Sequence, residues 1–230
     1  MLGIIGAMDE EVSKLKEIMD NVQIMNKASM DFYKGTMNGK EIVVVRSGIG
    51  KVNAGICTQI LVDEYNVDAV INTGIAGSLN ATIDIGDIVL STDTLQHDMD
   101  ATGFGYEPGV IPRMEASVFV ADDKLRKLAK KCCEEVNTDI KVYEGRIVSG
   151  DQFISDKNKK KYIEKQFAGY CTEMEGAAIA QAAYLNNIPF LIIRAISDKA
   201  DDSATVDYPT FEAKAIDNSV KLVKKMVENY

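Results

Sequence analysis

Short apolar runs alternate with segments of helical period along almost the whole chain, and that alternation limits the fold more than any single motif does. Residues 2–7, 69–73, 87–90, 141–149 and 190–196 read as strands; the first and last are apolar almost throughout, as in strands covered on both faces. Helical spacing predicts helices over about 9–21, 52–65, 123–136 and 157–166, one opening near Met174, and one over about 210–228. Strands separated by helices of this length imply one α/β domain, residues 1–230. Its sheet should be mixed and mostly parallel, with helices on both faces. With 230 residues, 46% hydrophobic and 27% charged, the chain can bury such a core.

Local signals refine this outline. Asp9 is placed to cap the first helix, whose apolar residues Val12, Leu15, Ile18 and Met19 fall on one face. Glu10 and Glu11 stand in its first turn, where carboxylates complement the positive end of the helix dipole. Asn38-Gly39 separates two strand-like runs and predicts a hairpin, because both turn positions need positive φ. Residues 91–117, with Pro108, Pro112, Gly103, Gly105 and Gly109, read as one long irregular stretch, and loops of that length commonly bind something.

Charge and cysteines exclude several classes. Asp plus Glu number 35 against 26 Lys plus Arg, a net charge of −9 that disfavours binding to nucleic acid or to an anionic membrane surface. No apolar run approaches the roughly 18 residues of a spanning helix. The first residues, MLGIIGAMDEEV, lack a basic region before the apolar stretch, which argues against a signal peptide. Cys57, Cys132, Cys133 and Cys171 show no CxxC spacing, so a reduced, cytoplasmic protein is expected. His97, the only histidine, sits beside Asp98 without a nucleophile motif nearby; a structural hydrogen bond is expected of it, and neither metal nor cofactor is expected of the chain.

In open α/β sheets ligands collect at the carboxyl ends of strands. The segments there are 6–11, 47–50, 73–77, 149–154 and 194–198, each joining small residues to ionisable or aromatic ones. Gly74 and Gly77 complete neither a GxGxxG nor a P-loop pattern. Two carboxylates, Glu173 and Glu175, flank Met174 where an Ala-rich helix begins, and a buried helix start should not hold a charge without a partner. Arg194 and Asp198 bracket the end of an apolar strand, so at least one should face a pocket.

The stretches GIIGAMDEEV, SGIGKVNA, INTGIAGS, HDMDATGFGYEPG, VSGDQFI, EMEGAAIA and RAISD, in this order over some two hundred residues, resemble the 5′-methylthioadenosine/S-adenosylhomocysteine nucleosidases of the nucleoside phosphorylase-like superfamily. The resemblance implies a hydrolase that releases adenine and a thioribose from 5′-thio-adenosines without a cofactor. Adenine leaves poorly as an anion, so an acid must protonate N7, and Asp198 matches that role, held by Ser197. Glu11 matches the base that takes a proton from water, and its charge would stabilise a ribosyl cation. Arg194 is then expected to orient water and Glu11. Glu175 matches a ribose clamp, Met174 packs on the sugar, and Glu173 belongs to the same binding segment. Phe153 would stack on adenine, the Ile154 backbone would read its edge, and Ala76 and Gly77 would allow close approach. Met8 and Ile49 would line the sugar and its 5′ end. In the family a second subunit completes the thioalkyl pocket; Phe104, Tyr106 and Pro112 match that contribution and imply a homodimer.

Two departures stand out. The family's TGSAGG loop here reads Thr73-Gly74-Ile75-Ala76-Gly77-Ser78, so Ile75 replaces a serine hydroxyl whose hydrogen bond would be worth about 1 kcal/mol. Glu107-Pro108 stands where Glu-Tyr is frequent. Three other readings compete: a nucleosidase for another 5′-modified nucleoside of the futalosine type, a phosphate-dependent phosphorylase, and a nucleoside-binding module without catalysis.

Overall fold

The computed structural model describes residues 1–201 and 204–230. The chain runs β1 (Leu2–Gly6), α1 (Asp9–Glu17), β2 (Asp20–Lys27), β3 (Met30–Met37), β4 (Lys40–Arg46), α2 (Lys51–Tyr65), β5 (Ala69–Ser78) and β6 (Ile88–Gln96). A long loop with one 3-10 turn at Thr102–Phe104 leads to β7 (Phe119–Val120), α3 (Asp123–Val136), β8 (Val142–Ser149), α4 (Lys157–Phe167) and β9 (Cys171–Glu173). The chain closes with α5 (Gly176–Leu185), β10 (Phe190–Asp198) and α6 (Ala204–Asn229).

The mixed α/β sheet is present, but it is neither mostly parallel nor open: among the described residues five strand pairings are parallel and five antiparallel, the latter contributed by the β2-β3-β4 hairpins and by β6 and β9. β1 lies between β4 and β5, parallel to both, and β10 runs parallel to β5. β10 then pairs antiparallel with β6, β6 parallel with β8, and β8 parallel with β9. β9 returns to β5 in antiparallel register, Gly77 opposite Thr172 and Ser78 opposite Cys171. Five strands, β5-β10-β6-β8-β9, thus close into a ring, and β1-β4-β3-β2 extends from it as a wing. Every residue of β1, β5 and β10 is buried, the burial that their apolar runs foretell. On one side α6 packs on β5 and β10 and meets α1 and α3; on the other α5 packs on β6, β8 and β10 and meets α2.

Caps and turns hold the element ends. The Asp122 and Asp156 carboxylates accept from the N–H groups of Leu125 and Lys159 at 2.8 and 2.7 Å, caps worth about 1 kcal/mol each. Asn38 and Gly39 have φ of 50° and 76°, the hairpin geometry expected of them.

Several boundaries differ from the sequence reading. The first helix stops at Glu17, four residues early, because Ile18 leaves helical dihedrals and the chain turns into β2. Its N-cap is Met8, and Asp9 is already helical. The strand expected over 69–73 continues to Ser78 through its glycines, and that expected over 87–90 continues to Gln96. The last helix opens at Ala204 and carries Pro209 inside it. Among the described residues no helix is long and apolar enough to cross a membrane, and all four cysteines are free and buried.

Candidate active site

Where β5, β9 and β10 meet, the structure opens a cavity of about 520 Å³, within the range of small-molecule sites. Glu11, Glu173, Glu175 and Asp198 reach its wall, and no Lys, Arg or His side chain does among the described residues. The rest of the wall is mostly apolar, and a cavity whose ionisable carboxyl groups face no wall cation disfavours anions.

Glu11 is the third residue of α1, and a side chain there can reach back to the orphan N–H groups at the helix start. Its Oε2 accepts from Ala7 and Met8 N–H at 2.7 and 3.1 Å, and its Oε1 from Ile75 N–H at 3.2 Å. Glu10, its neighbour, is exposed; Glu11 is not, so the two do not share a solvated turn. Burial pushes the Glu11 carboxyl above its ordinary pKa, opposed by Arg194 and the three backbone donors. Gly74 makes room for it: a Cβ there would stand 2.5 Å from Oε1.

Asp198 ends β10, paired with Gly77 across the bulge after Ile196. Its Oδ2 accepts from the Ser197 hydroxyl at 2.9 Å and its Oδ1 from Ala200 N–H at 2.7 Å. Burial raises its pKa too, against those two donors. A Cβ on Gly77 would come within 2.7 Å of Oδ1, so only glycine lets this carboxyl lie over β5.

The EMEG segment is fixed by a buried ion pair. Glu173 accepts from the Ser149 hydroxyl, from Arg194, and from the N–H groups of Glu175 and Gly176 at 3.1 and 2.7 Å. Its carboxylate is therefore fully engaged by the protein, although it reaches the cavity wall. Arg194 is fully buried behind that wall and hydrogen-bonded to Glu173 and Asn72, not projecting into the cavity as a group orienting water would. Burial disfavours its charge, but Glu173, Glu175 and Glu11 around it hold its pKa above the usual value. Glu175 accepts from Gly50 N–H at 2.8 Å and lies 3.8 Å from Arg194. Burial and the charge of Glu173 push its carboxyl up to about 8.

The sequence profile of the phosphorylase superfamily matches residues 1–228. A 5′-methylthioadenosine/S-adenosylhomocysteine nucleosidase of Staphylococcus saprophyticus is 44% identical over 99% of both chains. The chain belongs to that nucleosidase family. The crystal structure of the Neisseria meningitidis nucleosidase with methylthio-immucillin-A superposes with a TM-score of 0.95 at 39% identity, covering 100% of this chain and 99% of that one. The Colwellia psychrerythraea nucleosidase with adenine gives 0.94 at 40% identity, covering 98% and 93%.

The other residues that the nucleosidase resemblance singled out divide into two groups. Met8, Ile49, Ala76, Gly77, Phe153, Ile154, Met174 and Ser197 line the same cavity as the carboxyl groups. Phe104, Tyr106 and Pro112 do not; they lie on the long loop, Phe104 88% exposed. His97 departs from expectation, since its Nε2 is buried without a hydrogen-bond partner among the described residues and abuts Gly150. Sequence reasoning missed Tyr208, which lines the cavity, meets Phe153 edge-on at 5.9 Å and hydrogen-bonds Glu212 at 3.0 Å. The helix expected over about 210–228 stops short of Tyr208, whereas α6 opens at Ala204 and turns that side chain into the cavity.

Proposed function

We propose that this chain hydrolyses the N-glycosidic bond of 5′-methylthioadenosine and S-adenosylhomocysteine, releasing adenine and the 5-thioribose. One observation carries the reading: two carboxyl groups on separate elements, Glu11 and Asp198, line a single cavity that has no cationic side chain on its wall among the described residues. Asp198, its pKa raised by burial, donates a proton to N7 as the C1′–N9 bond breaks, so adenine leaves neutral. Glu11 accepts a proton from the water whose oxygen bonds to C1′, and its charge stabilises the ribosyl cation between those events. Glu175 accepts the 2′- and 3′-hydroxyls and Met174 packs on the sugar. Phe153 stacks on adenine, the Ile154 backbone reads its edge, and Ala76 and Gly77 let it approach β5. Met8 and Ile49 line the sugar and 5′ end. Ser197 aims Asp198; Arg194, locked to Glu173, acts on Glu11 and Glu175 through its charge.

The same wall disfavours a phosphorylase. A phosphate dianion at 4 Å from ionised Glu11 would meet a repulsion of about 4 kcal/mol per unit charge, with Arg194 already engaged.

A second copy of the chain completes the thioalkyl end in this reading. Val52 and Ile56, four residues apart on one face of α2, are exposed with Phe104, and the Lys51–Asp98 ion pair ties the start of α2 to the Phe104 loop. An apolar surface of this kind supports a homodimer in which Phe104, Tyr106 and Pro112 reach the neighbouring cavity.

The test follows adenine release with and without phosphate across methylthioadenosine, S-adenosylhomocysteine, futalosine and adenosine. Phosphate-independent release is expected, and Asp198→Asn and Glu11→Gln should each lower kcat by at least about 100-fold. A phosphate requirement, or near-normal turnover in either variant, overturns the assignment.

A further inference from the structure

The loops after β4 and after β8 are a hundred residues apart in sequence, and a polar strap joins them beside the cavity. The Asp151 Oδ1 accepts from Lys51 N–H at 2.8 Å, capping the first turn of α2. It also stands 3.1 Å from where a Cβ on Gly50 would lie. The Asp151 N–H donates to Asp98 Oδ2 at 2.9 Å, and Asp98 Oδ1 accepts from Lys51 Nζ at 2.6 Å, so the three residues form a closed circuit. Lys51 Nζ further donates to Gln96 Oε1 at 2.9 Å, anchoring the circuit to the end of β6. None of Asp151, Lys51 and Asp98 lines the large cavity.

What the circuit fixes is Gly50. This residue has φ of 97°, a conformation open to glycine, and it stands at the N-cap of α2, where the N–H group has no intrahelical partner. That N–H is aimed at Glu175 Oε1, 2.8 Å away. A hydrogen bond from a glycine amide keeps its direction only if the glycine is held from outside, because the backbone there has the widest freedom of any residue. Asp151 supplies that hold on one side and the α2 turn on the other.

We propose that Asp151, acting with Lys51 and Asp98, is a positioning residue for Glu175: it sets the orientation of the Gly50 amide, and through it the carboxylate that receives the ribose hydroxyls. The inference rests on the ribose-clamp reading of Glu175 given above. In this arrangement a residue outside the cavity governs sugar recognition, while the acid and base of the reaction are left in place.

The test compares the parent with Asp151→Ala and Asp151→Asn, the second keeping a carbonyl oxygen for Lys51 N–H. Substrates are methylthioadenosine and its 2′,3′-dideoxy analogue, which has no hydroxyls for Glu175. Asp151→Ala should raise KM for methylthioadenosine about 10-fold, the order of one buried hydrogen bond, with kcat changed less than about 3-fold. Asp151→Asn should restore most of that loss, and the dideoxy analogue should show less than about a 2-fold change in either variant. Amide hydrogen exchange supplies a readout independent of turnover, and Gly50 N–H should exchange faster in Asp151→Ala while the α5 amides do not. Equal losses on both substrates, or unchanged Gly50 protection, overturn the positioning role. A parent enzyme that releases no adenine would instead overturn the nucleosidase reading, and the exchange result would still decide the strap.

Discussion

Replacing Glu175 by Gln should make the free protein more stable at alkaline pH, and the gain should vanish in acid. In the folded chain Glu175 keeps its proton to about pH 8, against 4.5 for an unperturbed glutamate. Between those values the folded chain binds one more proton than the unfolded chain, so stability falls as pH rises through the interval. Below 4.5 both states are protonated and no cost exists; above 8 the whole cost is present. At about 1.4 kcal/mol per pH unit of difference, that cost has an upper bound of about 5 kcal/mol. Arg194, 3.8 Å away, can turn part of its charge toward the new anion and reduce the cost. For a chain of this size 1 kcal/mol moves Tm by roughly 2–4 °C, so even half the bound is a shift of about 5–10 °C. Glutamine removes the titration and keeps an oxygen for the Gly50 amide. Thermal unfolding of parent and variant without substrate, at about pH 5 and about pH 8.5, reads the effect as the change in their Tm difference. A difference that does not move between the two pH values refutes a neutral, buried Glu175.

Other outcomes follow from the same geometry. The pH profile of kcat/KM should be bell-shaped: protonation of Glu11 removes the base on the acid side, and ionisation of Asp198 removes the acid on the alkaline side, both with raised pKa values. An alkaline limb that persists unchanged in the residual activity of Asp198→Asn would assign that limb to another group. Gly77→Ala places a methyl group 2.7 Å from Asp198 Oδ1 and should lower kcat by at least about 10-fold while the protein still folds, checked by steady-state kinetics alongside circular dichroism. Normal kcat in that variant would show that Asp198 need not lie over β5. Phe104→Ala should weaken turnover of 5′-thioalkyl substrates more than that of adenosine, with light scattering reporting the oligomer; an equal loss on all substrates counts against a shared thioalkyl pocket.

The sequence was most informative where local chemistry and tertiary packing agree. The helices expected over about 123–136 and 157–166 and the Asn38-Gly39 turn are kept by the structure within a residue, because helical period and positive φ are decided by neighbours along the chain. It was least informative where pairing decides. β2 is exposed along nearly all its length and polar, so nothing in its own residues separates it from a loop, and it exists because β3 pairs with it. Gly74 and Gly77 made the second half of β5 look like a loop, although they are strand positions kept bare for Glu11 and Asp198. The three residues of β9 that close the ring are too few to carry a period. At the site, motifs placed Glu11, Asp198 and Glu175 on one cavity, whereas the retreat of Arg194 behind Glu173 depends on side-chain directions that no motif encodes.

The closed ring of strands divides the cavity into two parts with different freedoms. Its floor is a hydrogen-bonded ladder, since Thr172, Gly77 and Asp198 are rungs on adjacent strands and cannot separate without unzipping β9 or β10 from β5. Its ceiling hangs from the loops around Ile49 and Phe153 and from the first turns of α6 at Tyr208, which no strand ladder constrains. In the proposed reaction, proton transfer to adenine belongs to the floor, and the ceiling holds the face of adenine and the 5′ group. Drift in the loops can therefore retune which nucleoside fits while Asp198 stays where the ladder holds it.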